Sequence, residues 1–70
     1  MDNVIASREL QVERKNILVE LGQNGRGQFL RITEEAHGRR NTVIVPSTGL
    51  EEFNAVIDEM RAAAQGVVPA

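Results

Sequence analysis

Two alternating runs separated by a glycine-rich turn constrain this chain more than any other feature. Ile17-Leu18-Val19-Glu20-Leu21 and Phe29-Leu30-Arg31-Ile32-Thr33 have the β-branched and apolar content of strands, with Gly22-Gln23-Asn24-Gly25-Arg26-Gly27 between them. Asn and Gly tolerate the positive φ that tight hairpin turns demand. The glycines read as turn geometry, and two antiparallel strands follow.

Alternation extends the sheet on both sides. From Arg8 to Arg14, Leu10 and Val12 point one way and Glu9, Gln11 and Glu13 the other, which predicts a first strand. A second strand runs from Ile17 to about Gln23, with Ile17, Val19 and Leu21 toward the core. A third runs from about Gln28 to Glu34, with Leu30 and Ile32 on one face and Phe29, Arg31 and Thr33 on the other. Glu35 to Arg40 reads as a polar loop, and Thr42-Val43-Ile44-Val45 as a fourth strand closed by Pro46.

The period then changes. Leu50, Phe53, Ile57, Met60 and Ala64 form one apolar stripe on a helix over about 49–65. Thr48 and Glu51 match a capping box, and Gly66 is a helix stop. The expected fold is α+β, a four-stranded antiparallel sheet followed by one C-terminal helix (ββββα). The domain spans 8–65, between a flexible lead-in at 1–7 and a tail at 66–70. The helix should cover one sheet face, with Phe53 in the core. The second face then carries Leu18, Glu20, Asn24, Phe29, Arg31, Thr33, Arg40, Thr42 and Ile44, a mixed surface that can bind something or pack against a second copy.

Length bears on that choice. A chain of 70 residues buries only about 60% of the surface it exposes unfolded, and such domains lean on disulfides, a metal or a partner subunit. Cysteine is absent and His37 is the sole histidine, so thiolate and ordinary zinc sites are excluded and no cofactor or metal is expected. Self-association is the remedy left. No apolar run approaches the roughly 20 residues that span a bilayer, and Met1-Asp2-Asn3 opens no signal segment, so the chain reads as cytoplasmic with no membrane partner.

The same residues argue against catalysis. His37 has no cysteine to activate and lies in a glycine-containing loop, while Glu34-Glu35 and Glu51-Glu52 are adjacent in sequence and diverge. Gly22, Gly25 and Gly27 open no helix, which excludes a phosphate-cradling nucleotide loop. The formal net charge of −2 opposes a nucleic-acid partner at first. Residues 8–40, however, hold seven of the eight basic residues against five acidic ones. Phe29 could stack a base, Gln23 and Asn24 could bond base edges, and Arg26, Arg31, Arg39 and Arg40 could pair with phosphates. Core or dimer packing for Phe29 and a solvated strand face for the arginines are equally compatible with these residues.

The run Lys15-Asn16-Ile17-Leu18-Val19-Glu20-Leu21-Gly22-Gln23-Asn24-Gly25-Arg26-Gly27-Gln28-Phe29-Leu30-Arg31-Ile32 resembles the PUR repeat of Pur-alpha-type purine-rich-element binding proteins, with looser similarity through Thr42–Val45 and Glu52-Phe53. The resemblance covers about residues 8–64. It implies a PUR or Whirly-like fold paired as an intertwined homodimer, which binds single-stranded, purine-rich DNA or RNA on the sheet face opposite the helix. Binding would then fall on Gln23 and Asn24, supported by Arg26, Arg31 and a basic residue entering the fourth strand. Thr42 stands where that residue belongs, which leaves Arg40 as the candidate. Gly22 replaces a lysine and Leu18 a tyrosine, and these departures predict weaker binding. The other reading is a non-enzymatic protein-interaction or structural dimer domain, in which Leu18, Phe29 and Ile44 contact another protein.

Overall fold

The computed structural model describes residues 3–66, and Met1, Asp2 and the expected tail at 67–70 lie outside the described residues. Four strands, β1 (Asn3–Val12), β2 (Lys15–Asn24), β3 (Gly27–Ala36) and β4 (Arg39–Pro46), pair in sequence order as an antiparallel meander. A single 3₁₀ turn, Ser47–Gly49, leads into α1 (Leu50–Ala64). The expected order of four strands and one helix is the one observed.

Register explains the faces. Val19 pairs with Ile32 and Leu21 with Leu30, and Ile32 and Leu30 in turn pair with Val43 and Val45, so one face is apolar across three strands. Leu18 opposite Thr33, Glu20 opposite Arg31 and Gly22 opposite Phe29 make the other face, as the alternation predicted.

Several boundaries differ from the sequence reading. Asn3 to Ser7 belong to β1 rather than to a flexible lead-in, because a bulge between Val4 and Ala6 inserts Ile5 and breaks the alternation that marks a strand. Glu13 and Arg14 form the turn into β2, with Glu13 at φ 55. The polar loop at 35–40 shrinks to His37-Gly38, both at positive φ (53 and 74), as a type I′ hairpin turn requires. Gly22 is no turn residue. It lies inside β2, and only Gly25-Arg26 turn the central hairpin.

The helix start is also different. Pro46 leads directly into the 3₁₀ turn, so Thr48 is wound into that turn instead of holding the extended cap geometry. Gly49 is the N-cap, and no side chain caps α1. Gly66 does end the helix, at φ 80, with its N–H donating to the Ala63 carbonyl at 3.1 Å.

The largest departure is that α1 does not cover its own sheet. No residue of α1 is buried, Ile57 and Met60 are 49% and 57% exposed, and Phe53 is half-buried rather than in a core. The surface area of 5892 Å² exceeds the roughly 4,300 Å² of a compact monomer of this mass. The radius of gyration, 14.1 Å, exceeds about 11 Å for a compact chain of this length. The apolar stripe of the helix and the apolar face of the sheet are both left open.

Candidate nucleic-acid interface

The most buried residues lie on the mixed face, beginning with the pair Gly22 and Phe29. Phe29 is 8% exposed, and its ring lies directly over Gly22, where a Cβ would fall 2.6 Å from Cζ and 2.8 Å from Cε2. Glycine is therefore required at position 22 by a cross-strand aromatic ring and not by a turn. The Arg31 guanidinium reaches over the same ring, 5.8 Å from its centroid, within cation–π range. Its Nε donates to Glu20 Oε1 at 3.1 Å, so Arg31 is held between a carboxylate and an aromatic face.

Around this centre the hairpin tip supplies polar groups. The Asn24 Oδ1 accepts from the Arg26 N–H at 2.9 Å, which closes the turn and uses one of the amide's acceptor positions. Arg26 is exposed and makes no ion pair among the described residues. Asn24, Arg26, Phe29, Ile44 and Pro46 line a shallow groove at this end of the sheet.

The structure thus brings Asn24, Arg26, Phe29 and Arg31 together and leaves two expected site residues apart. Gln23 pairs with Gln28 and shares the face of Leu21, because side chains alternate and Asn24 takes the other side. Arg40 pairs with Glu35 at the opposite end of the sheet, where its Nε contacts Glu35 Oε2 at 3.4 Å. Phe29 differs from a free stacking platform, since one ring face rests on Gly22. Thr33, 7% exposed, shares its hydroxyl with Thr42 at 3.4 Å and completes the polar floor between the two ends.

Sequence reasoning missed the carboxylate partners. Glu20 faces Arg31, Glu35 faces Arg40, and Glu34 accepts from Lys15 at 3.0 Å and from Asn41 at 3.5 Å. The Lys15 hydrogen bond, then the Asn41 hydrogen bond, then the Lys15 charge hold the Glu34 carboxyl below the usual glutamate range. Counting outward from a two-residue turn at Gly25-Arg26 places Glu20 opposite Arg31, so this signal was available.

A sequence model of the family described as PurA single-stranded DNA and RNA-binding protein matches residues 1–64. The chain belongs to the PurA family. It is similar to Transcription factor Pur-alpha 1 of Arabidopsis thaliana, 41% identical over 51 residues that cover 73% of this chain and 17% of that protein. It is also similar to Transcriptional activator plp-1 of Caenorhabditis elegans, 35% identical over 60 residues that cover 81% of this chain and 26% of that protein. This PurA chain spans about a quarter or less of the length of these relatives. PurA membership agrees with the observed ββββα order and with the resemblance of Lys15–Ile32 to a PUR repeat. No described helix is long and apolar enough to cross a membrane.

Proposed function

We propose that this PurA chain binds single-stranded, purine-rich DNA or RNA without chemistry, as an intertwined homodimer. The observation that carries the binding reading is the meeting of Asn24, Arg26, Phe29 and Arg31 on the mixed face of one hairpin, in a chain of a family described as single-stranded DNA and RNA-binding. Arg26 and Arg31 pair with phosphates, Asn24 bonds a base edge, and the Phe29–Arg31 stack supplies a flat surface beside a base. Gln23 and Arg40 act at the periphery.

The dimer reading rests on the open surfaces. Each chain exposes about 1,500 Å² more than a compact monomer would, more than the ~800 Å² per partner of a standard interface. A helix that leaves its own sheet bare is accommodated if each copy lays α1 on the apolar face of the other.

Fluorescence anisotropy of a labelled purine-rich single strand, at low and physiological salt beside a pyrimidine control, tests the function. Saturable, purine-favouring binding that weakens with salt is expected, and no binding at low salt refutes it. Sedimentation equilibrium should give twice the 7.7 kDa chain mass, and a monomer at micromolar concentration refutes the dimer. The second reading, a protein-interaction domain that keeps the fold, is favoured by the carboxylates already paired with Arg31 and Arg40. Under it the titration stays flat.

A further inference from the structure

We propose that the sheet end remote from the glycine hairpin carries a second phosphate site for the same single strand, formed by Arg14 and Arg39 with His37 between them. This inference rests on the nucleic-acid reading above and extends it to a surface outside the hairpin cluster.

Register brings the site together. Val12 pairs with Lys15, Asn16 with Glu35 and Ala36 with Arg39, so the Glu13-Arg14 and His37-Gly38 turns project side by side from one end of the sheet. An open groove between them is lined by Val12, Glu13, Arg14, Lys15 and His37. It passes over the rim to a second depression that shares Lys15 and His37 and adds Arg39 and Asn41.

Charge decides what the groove can hold. Glu34 is occupied by Lys15 and Asn41, and Glu35 by Arg40. Among the described residues Arg14 and Arg39 make no ion pair, and both are exposed. Glu13 is the one carboxylate in the groove with no such partner, and its placement at φ 55 belongs to the turn that presents Arg14. Arg14 lines the first depression and Arg39 the second, one on each side of the rim that both share at His37, and each guanidinium has the fork geometry by which arginine takes a phosphate. The exposed His37 imidazole adds an N–H donor between them.

The spacing identifies the ligand as a polymer. β3 runs from the hairpin turn to this rim in nine residue steps, about 30 Å. Among the described residues Arg26 makes no ion pair at one end and Arg14 and Arg39 make none at the other, while Arg31 midway along the sheet and Arg40 beside the rim are each paired with a carboxylate. A strand too short to cross the sheet meets one free cation cluster, and a longer one meets both.

The test is a titration of purine-rich single strands of increasing length with the wild-type dimer and with Arg14→Ala/Arg39→Ala, at 50 and 200 mM salt. Wild-type affinity should step upward at the length that reaches both ends, and the variant should lose the step while binding the shortest strands unchanged. Loss of two phosphate contacts lowers the salt slope by about 1.4, so the fall in long-strand affinity between the two salts shrinks by about sevenfold. Unchanged circular dichroism and dimer mass confirm an intact fold. Arg14→Gln/Arg39→Gln gives the same reading should alanine disturb the turns. Equal steps and slopes in wild type and variant overturn the rim site while leaving the hairpin reading standing. Absence of wild-type binding at every length overturns both.

Discussion

Substituting Gly22 by alanine is the sharpest perturbation of the candidate interface. In an ordinary strand the change stabilises by about 0.5–1 kcal/mol, because glycine loses more backbone freedom on folding. Here the new Cβ would stand 2.6 Å from Phe29 Cζ and 3.3 Å from Cε1, so the ring must swing away from the strand it covers. Overpacking of this kind costs about 1–3 kcal/mol, which outweighs the gain and leaves a net loss of about 1 kcal/mol. For a domain of this size that lowers Tm by about 4–8 °C, read from far-ultraviolet circular dichroism at fixed protein concentration. Phe29→Leu supplies the control, since leucine lacks the Cζ and Cε atoms responsible for the conflict. In that background Gly22→Ala should stabilise, giving a coupling of about 1.5 kcal/mol across the cycle. A Gly22→Ala protein as stable as wild type or more so, or a cycle additive within about 0.5 kcal/mol, would refute the account of Gly22 as the seat of the ring.

Glu20→Gln should raise affinity for a purine-rich strand about tenfold at low salt, as Arg31 exchanges a charge-assisted bond to Glu20 for one to phosphate; unchanged affinity rejects an active Arg31. The lowered Glu34 pKa means its ion pair stabilises the fold above the usual glutamate range and is lost as pH falls through the lowered folded value. Glu34→Gln should therefore flatten the acid side of a Tm-against-pH profile, and an unaltered profile would count against the Lys15 contact. His37→Asn completes the Asn-Gly dipeptide favoured by a type I′ turn and should raise Tm by about 2–4 °C, whereas a decrease would mean that His37 makes a contact that asparagine cannot replace.

What the sequence disclosed follows from where one physical pattern operated alone. β2 and β3 were legible because each alternates without interruption, and their register brought Leu18, Glu20, Phe29, Arg31 and Thr33 to one face as expected. The start of β1 was hidden by a single extra residue, Ile5, which reverses the parity on either side of it. Glycine carried two meanings. Gly22 looks like punctuation beside Gly25 and Gly27, yet its neighbour across the sheet is what requires it. Periodicity located the apolar stripe of α1, but a stripe states only that something must cover it, not whether the covering sheet belongs to the same chain. The placement of Gln23 was within reach of the same alternation, since neighbours on a strand point to opposite faces and Gln23 and Asn24 cannot both lie on the mixed one.

A net charge of −2 is less of an obstacle to a polyanion than it looks, because the relevant balance is local. At physiological salt the field of Glu51, Glu52, Asp58 and Glu59 on the helix is screened beyond about 8 Å. In the proposed binding mode, what limits affinity is the pairing of Arg31 with Glu20 and of Arg40 with Glu35, because each phosphate would have to displace a carboxylate that then remains nearby with its charge uncompensated. One copy of the chain is left with few free cations to spend on a strand. In the proposed dimer that shortage has a remedy unrelated to stability. A second copy brings a second Arg26 hairpin and a second Arg14–Arg39 rim, and a strand held by one copy meets the other at a high effective concentration. Such avidity depends on span, so a chain with a weak single face binds long strands far better than short ones. The dimer that covers the bare helix and sheet would then also be what makes a negatively charged chain of this family able to hold nucleic acid.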